Sequence, residues 1–135
     1  MDPLLRKLQH RGGDAVVVLR PPDSFAPVVD RWRADGVDVR TRLRGGVPFV
    51  LTFARGPADV ADRGPKVVDA VRAVDDPVVW FAYPKRTSPL AHPDLHRDAG
   101  WEPLGDLGLE GVRQVKIDDD WSALRFRRAA SVARL

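Results

Sequence analysis

The sequence predicts an α/β domain built on a mainly parallel sheet of about six strands, with helices on both faces and a C-terminal antiparallel hairpin. Three observations predict it. First, the apolar runs Asp14–Leu19, Phe49–Ala54 and Val78–Tyr83 have strand length and are continuous rather than alternating. That pattern suits strands covered on both faces. Second, helical patterns separate strands along the chain, which favours parallel pairing. Third, Val112–Asp118 and Trp121–Arg127 alternate and are joined only by an Asp118-Asp119-Asp120 turn. Strands so closely joined pair as an antiparallel hairpin.

The elements follow in order. Pro3–His10 carries Leu4, Leu5 and Leu8 on one stripe and reads as a short helix ended by Gly12-Gly13, so residues 1–12 form a helical extension. After the first strand, Asp23 or Ser24 is expected to cap a helix running to Asp35, with Phe25, Val28, Val29 and Trp32 inward and Gly36 as its stop. Val37–Thr41 alternates like a half-exposed strand. The join from there to Phe49, through Gly45-Gly46-Val47-Pro48, is short for a parallel crossover: either it crosses the sheet as extended chain or the two strands form a hairpin. Ala58–Val74 is helical with an interruption at Gly64-Pro65, since proline suits the first turn of a renewed helix. Helix resumes loosely over Asp94–Leu107, and residues 129–135 form a frayed tail. The whole of 1–135 makes a single domain.

Composition narrows the function. With no cysteine, disulfides, thiolate metal sites and cysteine nucleophiles are excluded. No apolar run is long enough to span a bilayer, and the N-terminus lacks a signal-peptide core, so the expected location is the cytoplasm. The pI is about 9.8, but only Lys7, Lys66, Lys85 and Lys116 of the 22 basic residues are lysine. An arginine bias of this kind raises pI without any dedicated polyanion surface.

Three stretches carry a resemblance. Val79-Trp-Phe-Ala-Tyr-Pro-Lys85, Asp94–Trp101 and Gly111–Arg127 resemble an uncharacterised family of small bacterial proteins, domain of unknown function 3052. The likeness runs from Ala15 onward and is densest over the last third of the chain. It implies no established activity or ligand, and His96 and Asp120 depart from the family's usual residues. The architecture also looks like a degenerate Rossmann-like methyltransferase in three layers. Such enzymes need a glycine-rich turn after the first strand so that backbone can approach the cofactor. Here the turn is Arg20-Pro21-Pro22-Asp23, and no cofactor is expected.

Ligands of open α/β sheets bind beyond the C-terminal ends of the parallel strands. Arg20–Ser24, Arg55–Ala58, Tyr83–Ser88 and the Asp118–Ser122 turn would meet there. Lys85, Arg86, Thr87 and Ser88, with Asp118, Asp119, Trp121 and Ser122 opposite, form a candidate site for a small anion or a protein partner. The plainer reading is a surface loop whose Lys85 pairs with Asp118 or Asp119. His92, Asp94, His96 and Asp98 alternate and would share a face in an extended strand, as metal ligands do, though Asp94 or Asp98 also suits a helix cap. Arg40, Arg42 and Arg44, with Arg125 and Arg127, give a nucleic-acid reading against that of a charged edge strand. No serine stands in a nucleophile elbow, so a hydrolase triad is not indicated. Homodimerisation through an edge strand stays open. The expectation is a non-catalytic binding domain, with a methyltransferase-like enzyme and nucleic-acid binding as alternatives.

Overall fold

The computed structural model describes residues 1–132. Asp2 begins α1 (Pro3–Lys7), its Oδ1 accepting the Leu4 and Leu5 amide hydrogens at 2.9 and 3.3 Å. The helix stops short of His10 because Gln9 turns into the left-handed region, φ 62°. It is no loose extension. Leu5 and Leu8 are buried, and the Trp80 indole donates to the Leu8 carbonyl at 2.8 Å.

β1 (Val16–Leu19) leads through a 3₁₀ turn, Asp23–Phe25, into α2 (Ala26–Ala34). Neither Asp23 nor Ser24 caps α2 with its side chain; the 3₁₀ turn makes the entry instead. Gly36, at φ 89°, ends the helix as expected, its amide bonding the Arg33 carbonyl while Val37 bonds that of Trp32. β2 is only Val39–Arg40. Next come β3 (Phe49–Phe53), α3 (Pro57–Val71), β4 (Val78–Pro84), α4 (Glu102–Asp106), β5 (Leu109–Lys116), β6 (Trp121–Arg128) and α5 (Ala129–Val132). The rest of the expected frayed tail lies outside the described residues.

The six strands among the described residues form one sheet in the order β2-β1-β3-β4-β6-β5. The first four are parallel, and β6 runs antiparallel to both β4 and β5. The three continuous apolar runs thus lie side by side, as predicted. β2 and β3 flank β1 and do not pair, so the extended crossing holds and the hairpin does not. The crossing chain packs Leu43 and Val47 against the core on the α3 side, and the Gly46 and Val47 amides bond the Ala70 carbonyl at 2.9 and 3.3 Å.

Strand alternation splits the core in two. Val16, Val18, Leu51 and Trp80 pack with Leu5 of α1, Leu8 just after it, Phe25 of the 3₁₀ turn and Trp32 of α2. Val17, Val50, Val79 and Phe81 pack with α3 and α4 through Val60, Val67 and Leu104. Two expectations fail here. α3 runs unbroken through Pro65 because Ala61, whose carbonyl loses its helical donor, is exposed like Pro65 itself, so water can replace the missing bond. And of Asp94–Leu107 only Glu102–Asp106 is helical. Residues 92–99 form two successive tight turns, with bridges His92–Leu95 and His96–Ala99.

Candidate functional site

The exits of β1, β3 and β4 share one rim, and the β5–β6 turn joins it because Pro84 lies opposite Trp121. At the end of β3 the ground is taken. Arg63, buried on α3, donates to Thr52 Oγ1 at 3.0 Å and to the Phe53 carbonyl, and pairs with Asp59 at 3.4 Å. Burial pulls its guanidinium below the ordinary value, partly offset by Asp59. Arg55 stacks over Trp121 with its guanidinium 5.7 Å from the ring centroid.

The opening lies farther along, where β4 gives way to its exit loop. A cavity of about 260 Å³ is lined by Tyr83, Lys85, Arg86, His96, Arg97, Asp98, Gln114 and Ser122. Tyr83 and Ser122 stand opposite each other in the β4–β6 pair and are both buried. The Tyr83 hydroxyl has no hydrogen-bond partner among the described residues. Burial pushes its phenol above the ordinary value; Ser122, Arg97 and Gln114 stand near enough to pull it partway back, yet neither Ser122 nor Gln114 is placed to bond it. Three cations, Lys85, Arg86 and Arg97, face one carboxylate, Asp98, around this cavity. Lys85 has no ion-pair partner among the described residues.

The wall beyond is built by the two turns. In each, a histidine Nδ1 accepts the amide hydrogen two residues on: Asp94 to His92 at 3.0 Å, Asp98 to His96 at 3.3 Å. Trp101 holds the second turn down, its indole donating to the His96 carbonyl at 2.8 Å, and stacks edge-on against Tyr83. Arg86 Nη2 lies 2.8 and 3.0 Å from the two ring nitrogens of His96. One atom cannot reach both nitrogens within the ring plane, so the guanidinium sits across the imidazole face.

Of the predicted site, Lys85, Arg86 and Ser122 come together here. The others do not. Ser88 is buried and donates to Asp120 at 2.8 Å, pinning the loop to the hairpin. Asp118 Oδ1 accepts the Asp120 and Trp121 amide hydrogens, both at 2.8 Å, and so builds the turn. Asp119 is fully exposed, 3.5 Å from Lys116, so neither aspartate pairs with Lys85. Thr87 is exposed and outside the cavity lining. Trp121 faces the opposite core, buried against Phe53. Sequence reasoning left Arg97 and Gln114 out of the site and placed Tyr83 only as the start of the rim segment; the signal for Tyr83 is its place at the end of an apolar strand, just before the cationic loop.

The metal geometry is not formed. The turns spread His92, Asp94, His96 and Asp98 apart, and among the described residues no three histidines or acids gather as metal ligands. The five arginines also divide. Arg40, Arg42 and Arg44, joined by Arg33 and Thr41, line a cavity of about 390 Å³ at the β2 edge. Arg125 is buried four strands away, where it and Arg127 approach Asp76. No helix among the described residues is long and apolar enough to cross a membrane. No family model, curated protein or solved structure matches the chain.

Proposed function

We propose that this chain is a non-catalytic binding domain for a small anion, held in the cavity between the β4 exit loop and the Tyr83–Ser122 pair. The observation that carries the reading is the unpartnered, buried Tyr83 hydroxyl among Lys85, Arg86 and Arg97. A buried donor without an acceptor is costly, and an entering anion oxygen supplies that acceptor. The cavity is small for a drug-sized ligand, so an inorganic phosphate, a phosphate monoester or a short dicarboxylate fits its size and charge. We also read the fold as a three-layer Rossmann-like domain, the location as cytoplasmic, and the Val79–Lys85 and Gly111–Arg127 stretches as kinship with domain of unknown function 3052. What supports the fold reading is the parallel β1–β4 block with helices against both faces. A methyltransferase-like reading draws no support from the β1 exit, where Arg20 takes the left-handed conformation at φ 54° and Pro21 and Pro22 offer no amide hydrogens.

A thermal-shift screen of such anions on the full chain tests the proposal. One or more should raise Tm in a saturable way, and Lys85→Ala with Arg86→Ala should abolish the rise. A flat screen, or hits indifferent to both substitutions, contradicts it.

The arginine-lined cavity at the β2 edge favours a second reading, binding of a nucleic-acid backbone. Four arginines converge there, with Asp38 paired to Arg40 at 2.8 Å. Binding of this kind weakens steeply with salt. A gel shift with no salt dependence, or no shift, ends it.

A further inference from the structure

A cavity of about 640 Å³ opens at the other end of the parallel strands from Tyr83, where the chain enters β1 and β2. Its wall holds four aspartates, Asp2, Asp14, Asp35 and Asp38, and no lysine or arginine. Two of them are engaged: Asp2 caps α1 and bonds Arg31, and Asp38 pairs with Arg40 at 2.8 Å. Half-buried Asp14 and exposed Asp35 have no ion pair among the described residues. Asp35 also ends α2, which adds the negative end of that helix's dipole to the same wall. His10 belongs to this wall as well and is only 9% exposed. Its Nε2 lies 2.8 Å from the Asp14 carbonyl oxygen. That oxygen can only accept, so Nε2 carries the hydrogen and neutral His10 keeps a lone pair on Nδ1. Nδ1 is buried and has no hydrogen-bond partner among the described residues. A buried acceptor without a donor is costly, and what it lacks is an N–H group.

Carboxylates, helix end and imidazole lone pair all call for a cation that donates hydrogen bonds. A metal ion does not fit, since among the described residues no three histidines or acids gather as ligands. Negative charges spread around a cavity of ligand size suit separated ammonium groups on a flexible stem, and Leu5 and Val37 give that stem apolar wall. We propose that this cavity binds an aliphatic polyamine, with ammonium groups at Asp14 and Asp35 and an N–H donated to His10 Nδ1. The site neither uses nor requires the Tyr83 cavity.

Calorimetric titration of the full chain with spermidine at fixed ionic strength tests the assignment. Saturable binding is expected. Asp35→Asn, a change at an exposed position that keeps the fold, should weaken it by about threefold, and Asp14→Asn with Asp35→Asn by about tenfold. Butylamine, with a single ammonium, should bind at least about tenfold more weakly than spermidine. Magnesium chloride at the same concentration of charge should not displace spermidine. Of the chain's 3 histidines, His10 alone should shift its ring nitrogen-15 resonances on saturation. The proposal is overturned by absent binding, by butylamine binding as tightly as spermidine, by displacement with magnesium, by affinity that survives both aspartate changes, or by a His10 resonance that stays put.

Discussion

Tyr83 faces Ser122 across the antiparallel β4–β6 pair, and the Tyr83 hydroxyl is buried there without a hydrogen bond. The relationship separates stability from binding. Tyr83→Phe removes an unsatisfied donor, so denaturant unfolding should show unchanged stability or a gain of about 1 kcal/mol. The same variant should bind the stabilising anion more weakly. A matched loss of stability and affinity would make Tyr83 a packing residue only.

Gly100 sits at φ 97°, and a Cβ there would meet the Asp94 carbonyl oxygen at 2.6 Å and Leu95 Cα at 3.2 Å. Both obstacles are backbone and cannot swing aside. Gly100→Ala should therefore destabilise the fold by about 2 kcal/mol or more. Because it forces the His92–Ala99 turns to move, it should also weaken anion binding at Arg86 and Arg97. Chemical denaturation and the thermal-shift assay read the two effects.

Ser88 links the β4 exit loop to the hairpin through Asp120, and its Oγ also accepts the Leu90 amide hydrogen at 3.1 Å. Ser88→Ala loses both bonds. The expected cost is about 1–2 kcal/mol in unfolding free energy, with the loop loosened in hydrogen exchange.

Asp2 gives the fold an acid dependence. Burial alone would push its carboxyl up, but Arg31, bonded at 2.7 Å, and the Leu4 and Leu5 amides outweigh that and hold it below 3.8. A carboxylate with a depressed folded pKa stabilises above the unfolded value, and the benefit disappears as pH falls through the folded one. Asp2→Ala should thus lose about 1–2 kcal/mol at neutral pH, mostly its helix cap, since Arg31 is half exposed. Its stability should then fall less than wild type's on acidification. Unfolding curves at neutral and acidic pH compare them.

The central strands were legible because both faces are buried, which makes β1, β3 and β4 continuous apolar runs that no amphipathic helix imitates. The rim followed from their shared direction. The site's occupants were harder to read. Trp121 and Ser122 are neighbours on one strand, so alternation sends them to opposite faces, and no single cavity on one face takes both. The His92–Asp98 segment has a period of two, the mark of a strand, but the period comes from two turns of the same build. Which residue faces Tyr83 depends on the register of β6, set by how Asp118 folds the turn, and composition carries no trace of that. Arg63 reads as an ordinary exposed helix residue, since nothing local tells that it bends back onto Thr52 at the end of β3.

The chain contains a single tyrosine, so the alkaline absorbance of tyrosinate reports Tyr83 alone. Titrated without ligand, it should ionise above the ordinary 10.0, because its hydroxyl is buried. The proton it keeps is one the unfolded chain gives up first, so this contribution to stability is intact below that value and lost as pH rises through the folded one. With the most stabilising anion bound, the midpoint should climb further, since an acceptor on the phenol favours its neutral form. An ordinary midpoint, or one indifferent to the anion, would contradict the site.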